Sequence, residues 1–382
     1  MMIYLDNAAG SHPKPHRVVT AMAEALSKYG ANPGRGNHEM TRRTADMVQN
    51  VREKFADFFG VGDSTRVIFT AGATMSLNMA IYGCLHKGEA LLLPGMEHNA
   101  ISRPVAALED AGTINVQTLI AAPDGYIDLN AIRRACTSWP RPTLLALTHG
   151  SNVCGSVAPL DEIGGFCQKT GVLLLVDAAQ SAGLIPISIK KTPISLLALA
   201  GHKALYGPPG TGVLIVGEEV LLSPLILGGT GNKSEERNQP DYYPDRLEAG
   251  SLNVPGIAGL GAALDFVKEI GIEELYGKTM ALTNRLTEMA ANISGIDVYV
   301  PNQPKPRLPV LALNIVKHDP AEASALLDSR FGIAIRSGYH CAPAAHRALG
   351  TMEEGCLRFS PGWFNTQKEI EKAGMALAKL AR

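Results

Sequence analysis

The stretch Val172-Leu173-Leu174-Leu175-Val176, running into Asp177-Ala178-Ala179-Gln180, decides the fold. Unbroken apolar residues of this length suit a strand covered by helices on both faces. Residues 143–147 form a second apolar run, and the amphipathic segment 160–170 lies between the two. Further upstream, strands are expected at 66–70, 90–93 and 116–120. They alternate with helices expected at 77–85, 101–111 and 130–137. This strand–helix alternation predicts an α/β domain built on a large, doubly wound, mostly parallel sheet.

Around residues 228–250 the pattern breaks. The stretch is polar, opens with Gly228-Gly229-Thr230-Gly231, and is long for a plain connection. Beyond it, helical patterns at 257–270 and 272–293 precede strand patterns at 298–300, 310–315 and 333–335. They predict a second, smaller α/β unit. The expected division is a large domain over 16–255 and a small one made of 1–15 plus 256–382.

A chain of 382 residues is long enough for two such units. A formal net charge of −1 offers no basic surface for nucleic acid or anionic membranes. No apolar run approaches the roughly 20 residues that cross a bilayer. The start Met1-Met2-Ile3-Tyr4-Leu5-Asp6 lacks the basic and apolar regions of a signal peptide, so a cytoplasmic location is expected. The six cysteines include no Cys-x-x-Cys pair, which argues against a disulfide framework and against a zinc site. No metal is expected. One thiol is a candidate for chemistry and the rest for apolar filling.

Just after the apolar run 196–200 comes Gly201-His202-Lys203-Ala204-Leu205-Tyr206-Gly207-Pro208-Pro209-Gly210. A Lys in a tight, partly desolvated turn loses some preference for the charged form. Its neutral amine can then attack a carbonyl and form a Schiff base. A surface Lys in a glycine-rich turn is the plain alternative. Asp177 shifts that balance, because an acid at the carboxyl end of a buried strand stands where α/β sheets bind ligands. An Asp there can pair with the pyridine nitrogen of pyridoxal phosphate and keep the ring electron-accepting. Helix capping is the alternative for Asp177. Thr70-Ala71-Gly72-Ala73-Thr74 follows a strand and opens a helix, leaving backbone N–H groups for a phosphate. Glu97-His98-Asn99 offers a ring that could stack on a flat cofactor. Thr148-His149-Gly150-Ser151-Asn152 offers an amide within reach of a ring hydroxyl.

Together these residues resemble the class V aminotransferase group of fold-type I pyridoxal-phosphate enzymes, and within it the Suf-type cysteine desulfurases and selenocysteine lyases. The resemblance runs from Tyr4-Leu5-Asp6-Asn7-Ala8-Ala9 to Arg358. Its most specific motifs are Gly201-His202-Lys203 and Arg336-Ser337-Gly338-Tyr339-His340-Cys341-Ala342. The resemblance implies that Lys203 carries pyridoxal phosphate and later moves the substrate's Cα proton. Asp177 would meet the ring nitrogen, His98 would stack on the ring, and Asn152 and Gln180 would lie near its hydroxyl. Gly72, Ala73, Thr74 and His202 would hold the phosphate. Thr230 would reach the phosphate of the other subunit in a homodimer with shared active sites. Arg358, with Arg336 and Asn152, would bind the substrate carboxylate. Cys341 would be the nucleophile, its thiolate favoured by His340 and Arg336.

The implied reaction converts L-cysteine to L-alanine and leaves the sulfur on Cys341 as a persulfide. A sulfur-acceptor protein, as in iron–sulfur cluster assembly, would then collect it. L-Selenocysteine as substrate, or another class V aminotransferase or lyase reaction, are the alternatives. Two positions depart from the family pattern. Ala200 stands where Ser or Thr often adds a phosphate contact, and Ala204 is inserted after Lys203.

Overall fold

The computed structural model describes residues 2–34, 36, 38–138, 140–301 and 305–382. Its centre is a seven-stranded sheet. From one edge to the other the strands are Val67–Thr70, Gly212–Val216, Leu196–Ala200, Leu173–Asp177, Leu144–Thr148, Ala90–Leu93 and Asn115–Thr118. Only Gly212–Val216 runs against its neighbours; the other pairings are parallel. The expected mostly parallel, doubly wound sheet is therefore present.

Alternation along the central strands explains its two covered faces. Leu174 and Val176 enter one apolar core, together with Leu145, Leu147, Leu197 and Leu199. Leu175 enters the other, with Leu144, Ala146, Leu196 and Ala198. Helix Glu39–Phe59 covers the first face through Val48, Val51, Phe55 and Phe59. Helices Ala73–Cys84 and Asn99–Asp110 cover the second through Leu77, Ile81, Ile101 and Val105. Gly212 is required here, since a Cβ on it would lie 2.5 Å from Gly72 Cα. That close approach brings the loop at Gly72 down onto the sheet edge.

A four-stranded antiparallel sheet lies toward the C-terminus, in the order Arg336–Gly338, Cys356–Phe359, Leu311–Ile315, Ile296–Tyr299. The start of the chain belongs with it. Ile3–Tyr4 pairs in parallel with Ile333–Ala334, and Ile3 and Leu5 share a core with Leu313, Leu357 and Leu377. Helix Val254–Ile270 spans the expected boundary at 255/256. Its Val254, Ile257, Leu260 and Leu264 join the large-sheet core, while Val267 joins Leu275 and Val310.

Sequence periodicity did not assign helices His16–Lys28, Glu39–Phe59, Pro320–Phe331 and Gln367–Leu380, nor strands Gly212–Val216 and Cys356–Phe359. The two short strands are bounded by turns that hide them. The stretch after Gly228 carries little regular structure but is anchored at its end. Glu248 forms a bidentate ion pair with buried Arg52, at 2.8 and 2.9 Å, and accepts the Phe69 N–H. Removing either partner would leave a buried charge unpaired, at a cost of about 3–5 kcal/mol.

Candidate active site

At the carboxyl ends of the parallel strands opens a cleft of about 690 Å³. Strand Leu173–Asp177 delivers Asp177, strand Leu144–Thr148 leads to Asn152, and strand Leu196–Ala200 leads to His202 and Lys203. The loop after Ala90–Leu93 brings His98, and the start of helix Ala73–Cys84 brings Gly72, Ala73 and Thr74. Gln180, Arg336 and Arg358 complete the wall. Eleven residues singled out from the sequence thus converge on one space.

Asp177 is buried, and its Oδ1 accepts the Ala179 N–H at 2.9 Å. No helix begins there, so the capping alternative does not describe it. Burial pushes the Asp177 carboxyl up, and the Lys203 charge opposes that rise. Burial likewise pushes the Lys203 amine down against the pull of Asp177, and Arg358 and Arg336 push it further down. Lys203 keeps partial contact with the cleft and is enclosed by protein elsewhere. The surface-turn alternative for Lys203 therefore fails.

His98 is the N-cap of helix Asn99–Asp110, its Nδ1 accepting the Ala100 N–H at 3.0 Å. That bond fixes the ring and leaves Nε2 carrying the proton. Burial, reinforced by Lys203 and three arginines, holds His98 at about 4, so the ring is neutral at pH 7. Burial also brings His202 to about 4. Helix Ala73–Cys84 has Gly72 at its N-cap with no side-chain cap and no acid in its first turn. Its first N–H groups are free to meet an anion.

Among the described residues, six buried side-chain polar atoms lack a partner, and four belong to residues of this cleft: Thr148 Oγ1, Asn152 Oδ1, His202 Nδ1 and Arg358 Nε. Such atoms are costly when left unpaired, at about 1–3 kcal/mol each. Their gathering in one cleft, with an uncapped helix start and a Lys facing an Asp, fits a polar, phosphate-bearing ring such as pyridoxal phosphate. Asn152 and Gln180 keep only their amide oxygens for a ring hydroxyl. The Asn152 Nδ2 donates to the His340 carbonyl at 2.7 Å, and the Gln180 Nε2 donates to the Ala8 carbonyl at 2.9 Å.

Arg358 is fully buried. One Nη donates to the Asn152 carbonyl at 3.0 Å and the other to Asp6 at 2.6 Å, while Nε has no partner. The guanidinium is locked on one side and retains N–H groups for a carboxylate. Asp6 was not anticipated, because it lies 352 residues away in the chain.

Cys341 stands outside the cleft lining, in the loop after strand Arg336–Gly338. It is the one exposed thiol of the six, all of which are free. The Arg336 Nη2 donates to its Sγ at 3.3 Å, and its carbonyl accepts the Asn99 N–H at 2.7 Å. Arg336 thus stands ready to hold negative charge on the sulfur. His340 does not, which corrects the sequence expectation. Its ring is buried and held near 2, chiefly by burial and then by Arg358, so it is neutral. Thr230 is also outside the cleft, its hydroxyl donating to the Asn232 carbonyl. Ala200 lines the cleft with no hydroxyl to offer.

The model of the family described as aminotransferase class V matches residues 3–373. The chain belongs to that family. Within the family it is similar to a probable cysteine desulfurase of Methanothermobacter thermautotrophicus, with 35% identity covering 99% of this chain and 94% of the relative. It is also similar to a cysteine desulfurase of Pectobacterium atrosepticum, at 31% identity over 100% of this chain and 93% of the relative. Among solved structures, the apo cysteine desulfurase from Thermococcus onnurineus superposes with a TM-score of 0.92 at 29% identity, over 100% of this chain and 94% of that one.

Proposed function

We propose that this protein is a pyridoxal-phosphate-dependent cysteine desulfurase that converts L-cysteine to L-alanine and takes the sulfur onto Cys341. The observation that carries the reading is the pairing of the Lys203–Asp177 cleft with an exposed thiol held by Arg336 at its rim. When bound, pyridoxal phosphate supplies an aldehyde for amines and a ring that stabilises negative charge at Cα. Lys203 would hold it covalently, Asp177 would face the ring nitrogen, His98 would cover the ring, and Thr74 with the start of its helix would take the phosphate.

Arg358 orients the substrate by its carboxylate. Lys203, its amine depressed by burial, takes the Cα proton. The Cys341 sulfur attacks the substrate Sγ. An S–S bond forms, the Cβ–Sγ bond breaks, Cβ keeps the electron pair and gains a proton, and Lys203 returns the proton to Cα. Cysteine plus thiol becomes alanine plus persulfide, with no outside oxidant.

The same reading includes a homodimer. Leu225, Ile226 and Leu227 are exposed in succession, and Leu225 also lines the cleft. A second copy covering this apolar run would carry its own Thr230 toward the cleft. Exposure of Cys341 suits delivery of sulfur to an acceptor protein, as in iron–sulfur cluster assembly. We keep the division into 16–255 and 1–15 plus 256–382 as part of this proposal, with helix Val254–Ile270 bridging the two. A cytoplasmic location accords with six free thiols, and no described helix is long and apolar enough to cross a membrane. The test supplies the cofactor-loaded protein with L-cysteine and quantifies alanine and protein-bound reducible sulfur. The expected result is equal amounts of both in the first turnover. Alanine without sulfur, or a requirement for a keto acid, would contradict the reading.

A further inference from the structure

Behind the nucleophile's loop, three metal-ligating side chains meet in the interior. His340 comes from the loop itself, His346 from helix Pro343–Leu349, and Cys356 from the start of strand Cys356–Phe359. All three are buried, and one ligand atom from each lies within 4.8 Å of the others. It is the one such His, Cys or acidic cluster among the described residues. The His340 Nδ1 is 3.4 Å from the His346 Nε2 and 3.9 Å from the Cys356 Sγ.

Metal bonds of about 2.0–2.1 Å to imidazole and 2.3 Å to thiolate set the spacing such ligands need. They place two nitrogens about 3.3–3.6 Å apart and a nitrogen and a sulfur about 3.6–3.8 Å apart. The two spacings from the His340 Nδ1 meet these values to within a few tenths of an ångström, and the third pair lies within 4.8 Å. The remaining ring nitrogens are held as metal-bound histidines require. The His340 Nε2 faces the Arg336 carbonyl at 3.4 Å, and the His346 Nδ1 faces the Thr351 hydroxyl at 2.7 Å.

We propose that His340, His346 and Cys356 bind a thiophilic d10 cation, Cu⁺ or Zn²⁺, directly behind Cys341. Binding displaces the proton of the Cys356 thiol, which leaves to solvent, and breaks the His340–His346 hydrogen bond. The His346 proton moves to Nδ1, where the Thr351 oxygen accepts it. The soft thiolate and a set of three protein ligands suit Cu⁺ better than Zn²⁺, which takes four.

The test uses the cofactor-loaded Cys341→Ala protein, which removes the exposed thiol as a competing ligand. Equilibrium dialysis against Zn²⁺, and against Cu⁺ in competition with a chromophoric chelator, measures bound metal per chain. The expected result is one equivalent, tighter for Cu⁺. Cys356→Val in the same background keeps the core apolar and abolishes binding. Thr351→Val, which leaves all three ligands in place, weakens it roughly 10- to 100-fold. Co²⁺ loading gives a thiolate charge-transfer band that vanishes in Cys356→Val. No bound metal in the Cys341→Ala protein would overturn the proposal, as would binding undiminished by Cys356→Val.

Discussion

On one wall of the cleft, Asp177 ends a buried strand, and Asn152 and Lys203 follow directly on two others. Their backbones are set by the central sheet. Beyond the cleft's rim, on the wall's other side, Cys341 sits in an exposed loop where His340 and Cys341 take φ of +50° and +57°. Two successive non-glycine residues in that region cost about 1–2 kcal/mol each. The loop holds that shape through the Asn152 amide on the His340 carbonyl and the Asn99 N–H on the Cys341 carbonyl. A wall that grips a cofactor has to stay fixed. A wall that receives sulfur and passes it on has to reach solvent. The strained loop reaches solvent while remaining tied to Asn152 and Asn99 by two hydrogen bonds.

If the walls divide the work in this way, damage to each should read out differently. Lys203→Ala strikes the fixed wall and has the largest effect. Alanine formation falls at least about 1,000-fold, and the visible absorption of amine-linked cofactor is lost. Retention of either would break the division.

A second prediction concerns the stability of the fixed wall. The His149 N–H donates to the Asp177 carbonyl, and its ring pairs with Ser181. Burial pushes His149 down to about 4, with Asp161 opposing. The unfolded chain takes up this proton near 6.5 and the folded one only near 4. The contribution is therefore complete above pH 6.5 and is lost as pH falls toward 4, a difference of roughly 3 kcal/mol. Urea unfolding at a series of pH values should show a shallower acid loss in His149→Gln than in the wild type. Equal slopes would count against a buried, neutral His149.

Arg336→Met sharpens the other side of the comparison. It removes one charged hydrogen bond from the Cys341 sulfur, worth about 1.5–3 kcal/mol. Alanine formation should slow roughly 10- to 100-fold while cofactor absorption stays unchanged. Loss of the cofactor would place Arg336 on the fixed wall instead.

The same contrast governs what the sequence reveals. Runs such as Leu173–Asp177 and Leu196–Ala200 are legible because their unbroken apolar character suits a sheet covered on both faces. Residues at or just beyond the end of such a run are then natural suspects, and Asp177 and Lys203 stand there. The Arg358–Asp6 pair is not legible, since nothing local joins positions 352 residues apart. The neutrality of the His340 ring is not legible either, because the burial that causes it is a tertiary property. The grouping of His340, His346 and Cys356 escaped spacing rules because each comes from a different element. Helix Glu39–Phe59 went unread although its buried positions 41, 44, 48, 51 and 55 keep helical spacing, because polar residues crowd the rest of it.

The most direct measurement mixes cofactor-loaded Cys341→Ala protein with L-cysteine and follows absorbance and alanine together. The account predicts that the cofactor stays bound and still responds to L-cysteine, while alanine formation and protein-bound sulfur fall to background. Alanine released at the wild-type rate would contradict it, and would remove Cys341 from the chemistry.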